Sequence, residues 1–102
     1  MADWTLYTTP TFLLEPKTAV DFSLANHIYV TIKQGARVVT KQDNELTIEN
    51  GKIAVYLSQQ DSARFTAGEA SIMANWTYSD GRRGALKETT ITLDRNLLPQ
   101  VL

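Results

Sequence analysis

Apolar and polar residues alternate along much of this chain, and the clearest stretch of the pattern runs from Lys52 to Leu93. A period of two marks strands with one buried face. Lys52–Ser58 reads as a strand, Gln59–Phe65 as a short helical turn, and Glu69–Ser79 as a long strand. An Asp80-Gly81 turn and a return strand follow. In the long strand Ala70, Ile72, Ala74, Trp76 and Tyr78 share a face, and the small alanines leave room for the Trp76 indole in a core. Glu69, Ser71, Asn75, Thr77 and Ser79 take the other face together with Met73.

The junctions carry their own signals. Asn50-Gly51 suits a two-residue type I′ turn, in which both residues take positive φ. That turn pairs Glu49 with Lys52, Ile48 with Ile53 and Leu46 with Val55, an ion pair beside the loop and two apolar pairs beyond it. Ser58 and Asp61 form a capping signature for a helical turn too short to stand alone, with Phe65 plugging the end of the fold. Asp80-Gly81 allows a two-residue loop and Arg82-Arg83-Gly84 a four-residue one. Either keeps Ala85, Thr89, Ile91 and Leu93 on the Trp76 face. A three-residue loop would bring Glu88, Thr90 and Thr92 there, and the burial of those polar groups argues against it.

Towards the start, Trp4, Leu6 and Tyr7 follow no clear period and read as part of an arm that orders only by docking. Pro10 and Pro16 bracket Thr11–Leu14, as suits an edge strand that need not donate every amide. Lys17–Asn26 is loop-like. From His27 to Lys33, Ile28, Val30 and Ile32 point one way while His27, Tyr29, Thr31 and Lys33 point the other. Gln34-Gly35-Ala36 then turns the chain into Arg37–Lys41. Seven short strands separated by turn signals predict an all-β chain, an antiparallel β-sandwich of immunoglobulin-like type, with a small barrel as runner-up. The chain divides into an N-terminal arm (1–9), the β-sandwich domain (10–93) and an apolar C-terminal tail (94–102).

Composition narrows the partners. The 102 residues make one domain, and 43% apolar content supports a packed core. Ten basic residues against 11 acidic ones, interspersed, give a net charge of −1 and no electrostatic case for nucleic acid or anionic membrane. The absence of cysteine excludes disulfides, thiolate metal sites and a cysteine nucleophile, and it suits a reducing cytoplasm. No apolar run approaches the roughly 20 residues that span a bilayer. Met-Ala-Asp-Trp-Thr lacks the basic start and apolar core of a signal peptide, so the expectation is a soluble protein made inside the cell.

Candidate chemistry is sparse. His27, the only histidine, lies on the polar side of its strand, and no motif supplies a nucleophile or orienting carboxylate. Acidic residues occur singly, without a calcium loop. The glycines stand alone at turns, and Arg82-Arg83 at a hairpin tip reads as a solvated turn. Asn75-Trp76-Thr77 matches a glycosylation sequon but falls within a strand. No catalytic, cofactor-binding or metal-binding residue is therefore assigned. Trp4, Trp76 and four tyrosines raise a carbohydrate-binding module as an alternative, because sugars stack on exposed rings. Trp76 sits on the core face, which leaves Trp4 and Tyr7. In the tail, Leu97, Leu98, Val101 and Leu102 either fold back onto the domain or dock on a neighbouring subunit.

Several strings add a resemblance: Thr9-Pro10-Thr11-Phe12, His27-Ile28-Tyr29-Val30-Thr31-Ile32-Lys33-Gln34-Gly35 and Val55-Tyr56-Leu57-Ser58-Gln59-Gln60-Asp61. Asn75-Trp76-Thr77-Tyr78-Ser79-Asp80-Gly81-Arg82-Arg83 and Arg95-Asn96-Leu97-Leu98-Pro99-Gln100-Val101-Leu102 follow. The chain from Thr9 onward resembles a group of small proteins of phages and prophages of Gram-positive gut bacteria. It is more distantly similar to the N-terminal β-sandwich of phage baseplate upper proteins. It departs from the group in Leu13-Leu14-Glu15-Pro16-Lys17, where such proteins more often continue an alternating strand. The resemblance implies a non-enzymatic virion component of tail, baseplate or neck, made in the bacterial cytoplasm. Its expected partners are other phage structural proteins or further copies of itself. The arm (Trp4, Tyr7) and the tail (Leu97, Leu98, Val101, Leu102) would then bury apolar surface on neighbours.

Overall fold

In the computed structural model, which describes residues 4–18 and 20–102, the period-two pattern resolves into two sheets around one core. Residues 1–3 of the expected arm and position 19 of the expected loop lie outside the described residues. The strands are β1 (Trp4–Thr5), β2 (Thr11–Leu14), β3 (Ala25–Gln34), β4 (Arg37–Gln42), β5 (Leu46–Glu49), β6 (Lys52–Tyr56), β7 (Gly68–Tyr78), β8 (Arg83–Ala85) and β9 (Thr89–Asp94). A helical turn α1 (Gln59–Ser62) joins β6 to β7. The larger sheet runs β1-β9-β7-β3-β4, with β8 also on β7; the smaller runs β2-β6-β5.

Alternation works as expected in the two long strands. Ile28, Val30 and Ile32 of β3 face Trp76, Ala74 and Ile72 of β7, and all six point at the core. From the smaller sheet Ile53 and Val55, with Leu57 just beyond β6, are completely enclosed. Each such side chain contributes on the order of 1.5–3 kcal/mol of burial. Aromatic rings mark the two ends of this core: Trp4 with Phe12 and Phe65 at one, Phe22 edge-on to Trp76 at the other.

The Asn50-Gly51 hairpin has the expected register, Leu46 opposite Val55, Ile48 opposite Ile53 and Glu49 opposite Lys52. Both turn residues have positive φ, 50° and 76°. The expected Glu49–Lys52 ion pair does not form. β6 is the middle strand, so Lys52 has a carboxylate on either side, and its ammonium turns to Glu15, 3.7 Å away. The capping box is complete: Asp61 N–H donates to Ser58 Oγ at 3.1 Å and Ser58 N–H to Asp61 Oδ2 at 3.2 Å.

Nine strands stand among the described residues where seven were expected, because the arm supplies β1 and the return strand is broken in two. The break corrects the register expected after Asp80-Gly81. Gly81 N–H donates to the Tyr78 carbonyl and Tyr78 N–H to the Arg82 carbonyl, closing a three-residue loop with Gly81 at φ 91°. Trp76 thus faces Gly84, and Ala85 falls on the Asn75 side rather than the Trp76 side. Continued, this register would bring Glu88 and Thr90 inward. Instead the chain leaves the sheet at 86–88 and re-enters with Thr89 opposite Ile72 and Ile91 opposite Ala70. Ile91 and Leu93 are buried, as the pattern requires.

Candidate interaction surface

The arm is part of the domain. Trp4 and Thr5 pair in parallel with Leu93 and Asp94, and the Leu6 N–H donates to the Asp94 carbonyl at 2.9 Å. The Trp4 indole meets Phe12 and Phe65 edge-on, at 5.3 and 5.7 Å between ring centroids. Its Nε1–H donates to the buried Ser62 Oγ at 3.0 Å. Trp4 is 5% exposed, so it is no contact for a neighbour. An indole with both ring partners and an acceptor inside its own chain gains nothing by leaving. Tyr7, at φ 65°, is half-buried against the same core.

The tail behaves differently. Its backbone is held by polar bonds: Asn96 Nδ2 donates to the Leu6 carbonyl, Leu98 N–H to Asn96 Oδ1, and Leu102 N–H to Gln59 Oε1 of α1. The side chains are covered unequally. Leu97 is 86% exposed, Leu98 50%, Val101 44% and Leu102 80%. Of the six residues expected at an interface, these four are about half exposed or more, Tyr7 is partly covered, and Trp4 belongs to the core.

His27 lies at the surface as expected, yet a carboxylate does orient it. Nδ1 stands 3.0 Å from Asp43 Oδ2. The Ile28 N–H bond to Asp43 and then the His27 contact hold the Asp43 carboxyl below its ordinary range. Asp43 has φ 49°, a left-handed conformation that no local pattern announced. Among the described residues no hydroxyl is hydrogen-bonded to the imidazole, and no group of three or more metal-ligating side chains occurs. On the outward face of the larger sheet, Tyr29, Thr31, Thr40, Asn75, Thr77 and Arg83 line a shallow depression of about 260 Å³. There the Arg83 guanidinium donates to Asn75 Oδ1 at 3.0 and 3.3 Å.

A larger feature escaped the sequence reading. Between the two sheets, on the side where β2 and β8 are the outer strands, lies a cleft of about 680 Å³. Leu13 and Leu14 line it from the smaller sheet; Ile72, Trp76, Ala85 and Leu86 line it from the larger. Leu86, Lys87 and Glu88, where the chain leaves the larger sheet, form part of its wall. The only advance signal was the conflict between the Asp80-Gly81 loop and the polar residues at 88 and 90. No protein-family model matches the chain, and no curated protein matches it significantly.

Proposed function

We propose that this protein is a non-enzymatic structural component of a phage or prophage particle, in the tail, baseplate or neck, acting through protein–protein contacts. In this reading it is made in the bacterial cytoplasm and works in the virion. Its immunoglobulin-like sandwich, extended by β1 and by the split β8 and β9, serves as a rigid block. The observation that carries the reading is the tail, where Leu97, Leu98, Val101 and Leu102 stay exposed although their backbone is tethered to the domain. Exposed apolar surface of this kind marks interfaces. The resemblance of the chain from Thr9 onward supports the choice of a virion.

The test is light scattering across a concentration series, with thermal melting of the same samples. Leu97→Ser with Leu98→Ser should weaken assembly and leave the melting of the domain nearly unchanged. Equal loss of both would make the tail an element of the core and end this reading.

A carbohydrate-binding module is the second reading, favoured only by the Tyr29 depression with its hydroxyls, amide and guanidinium. Both tryptophans are buried, so within this depression sugar stacking would fall to Tyr29. Calorimetric titration with cell-wall glycans, repeated on Tyr29→Ala, decides it: binding that survives the substitution removes this site.

A further inference from the structure

We infer that the cleft beside β2 receives the tail, Leu97–Leu102, of a second copy of this chain; the inference rests on the tail-mediated contact proposed above. Two unfinished surfaces meet in it. The first is the side of the fold where both sheets end. Among the described residues β2 pairs only with β6, and β8 only with β7. The Pro10 carbonyl accepts from Leu57 N–H at 3.1 Å, which fixes the phase of the β2–β6 ladder. Phe12 and Leu14 then bond to β6, while the N–H and C=O of Leu13 point away from it. A free edge of this kind accepts another extended chain. Here the apolar floor of the cleft lies directly beside it.

The second surface is the tail, where Leu97 and Leu102 are largely uncovered by their own domain and Leu98 and Val101 about half covered. The tail and the cleft sit at opposite ends of the fold. Leu102 is tied to Gln59 of α1, whereas Leu14 pairs with Ile53 and Glu15 reaches Lys52, next to the Asn50-Gly51 turn. The tethered tail therefore leaves its own cleft open and presents its side chains to a neighbour.

Charge supports the match. Lys87 and Glu88 stand on the rim of the cleft, and Asp94 and Arg95 lead into the tail. Among the described residues none of these four side chains is in an ion pair. A basic–acidic doublet on one copy meets an acidic–basic doublet on the next. Such a contact joins unlike patches, so each copy gives one tail and receives one, and repetition closes a ring or extends a row.

Charge reversal tests this without disturbing the core. In light scattering the wild-type chain should associate. Lys87→Glu with Glu88→Lys should weaken association by roughly tenfold or more, as should Asp94→Lys with Arg95→Glu; all four together should restore it. A synthetic peptide of residues 94–102, titrated into the labelled chain, should shift the indole N–H resonance of Trp76 and leave that of Trp4 in place. Association that ignores the rim reversals but is lost with Leu97→Ser and Leu98→Ser would overturn the cleft as receiver and keep the tail as donor. A chain monomeric at every concentration would overturn both.

Discussion

The indole of Trp76 occupies the space that a side chain at Gly84 would need. A Cβ built on Gly84 falls 2.7 Å from Trp76 Cζ2 and closer still to Nε1 and Cε2. The two residues face each other across β7 and β8, so the glycine is the lid under which the ring lies flat. The indole N–H then reaches the Tyr78 hydroxyl at 3.0 Å. The three-residue loop and the buried tryptophan therefore depend on each other: either of the other loop lengths moves Gly84 off the ring.

Gly84→Ala should accordingly destabilise the fold by about 1–3 kcal/mol through overpacking. Urea denaturation measures the loss. A red shift of the native tryptophan emission would show that the indole has been displaced. A variant as stable as wild type would mean that β8 moves off the ring at little cost.

Ser62→Ala probes the arm. It leaves the buried indole N–H of Trp4 without an acceptor, which costs about 1–3 kcal/mol. Because Trp4 anchors β1, amide exchange at Leu6 should speed up more than exchange at Val30. An equal change at both sites would show that the arm opens only when the whole domain does.

Acid should loosen α1 through Asp61. Burial works against its charge, but the Lys41 ammonium at 2.7 Å and the Ser58 N–H and hydroxyl outweigh it and hold the carboxyl below its ordinary range. A lowered folded value stabilises the native state fully above the ordinary aspartate value of about 3.9, and the contribution fades as pH falls through the folded value. Asp61→Asn should therefore be less stable than wild type at neutral pH, with the gap closing as pH falls below the ordinary aspartate range and through the lowered folded value. Asp21, Asp43 and Asp80 are also lowered but are solvent-exposed, and add less. A gap that stays constant with pH would remove the ion pair and cap as its source.

What the sequence made legible follows distance along the chain. Asn50-Gly51 sets its own register within a few residues, and β3 and β7 show their buried faces in their own alternation. The cap at Ser58 is equally local. The parallel pairing of Trp4 with Leu93 joins residues at opposite ends of the sequence, and no pattern near Trp4 encodes it. The Asp80-Gly81 loop was a choice between registers that only the fit of Trp76 over Gly84 decides. Its consequence, the break at 86–88, forms part of the wall of the cleft. At the candidate surface, apolar content alone singled out the tail, but it could not separate Trp4, which has partners in Phe12, Phe65 and Ser62, from Leu97, which is 86% exposed.

The parallel pairing of β1 with β9 also decides how the domain carries load. Tension applied through residue 4 and through residue 94 pulls along neighbouring strands in opposite directions. The Trp4–Leu93 and Thr5–Asp94 pairs are then sheared together instead of being peeled apart in turn. The indole locked to Ser62 must slide with them. A domain strung into a longer assembly by its two ends would thus yield late and all at once, as a stiff link rather than a spring.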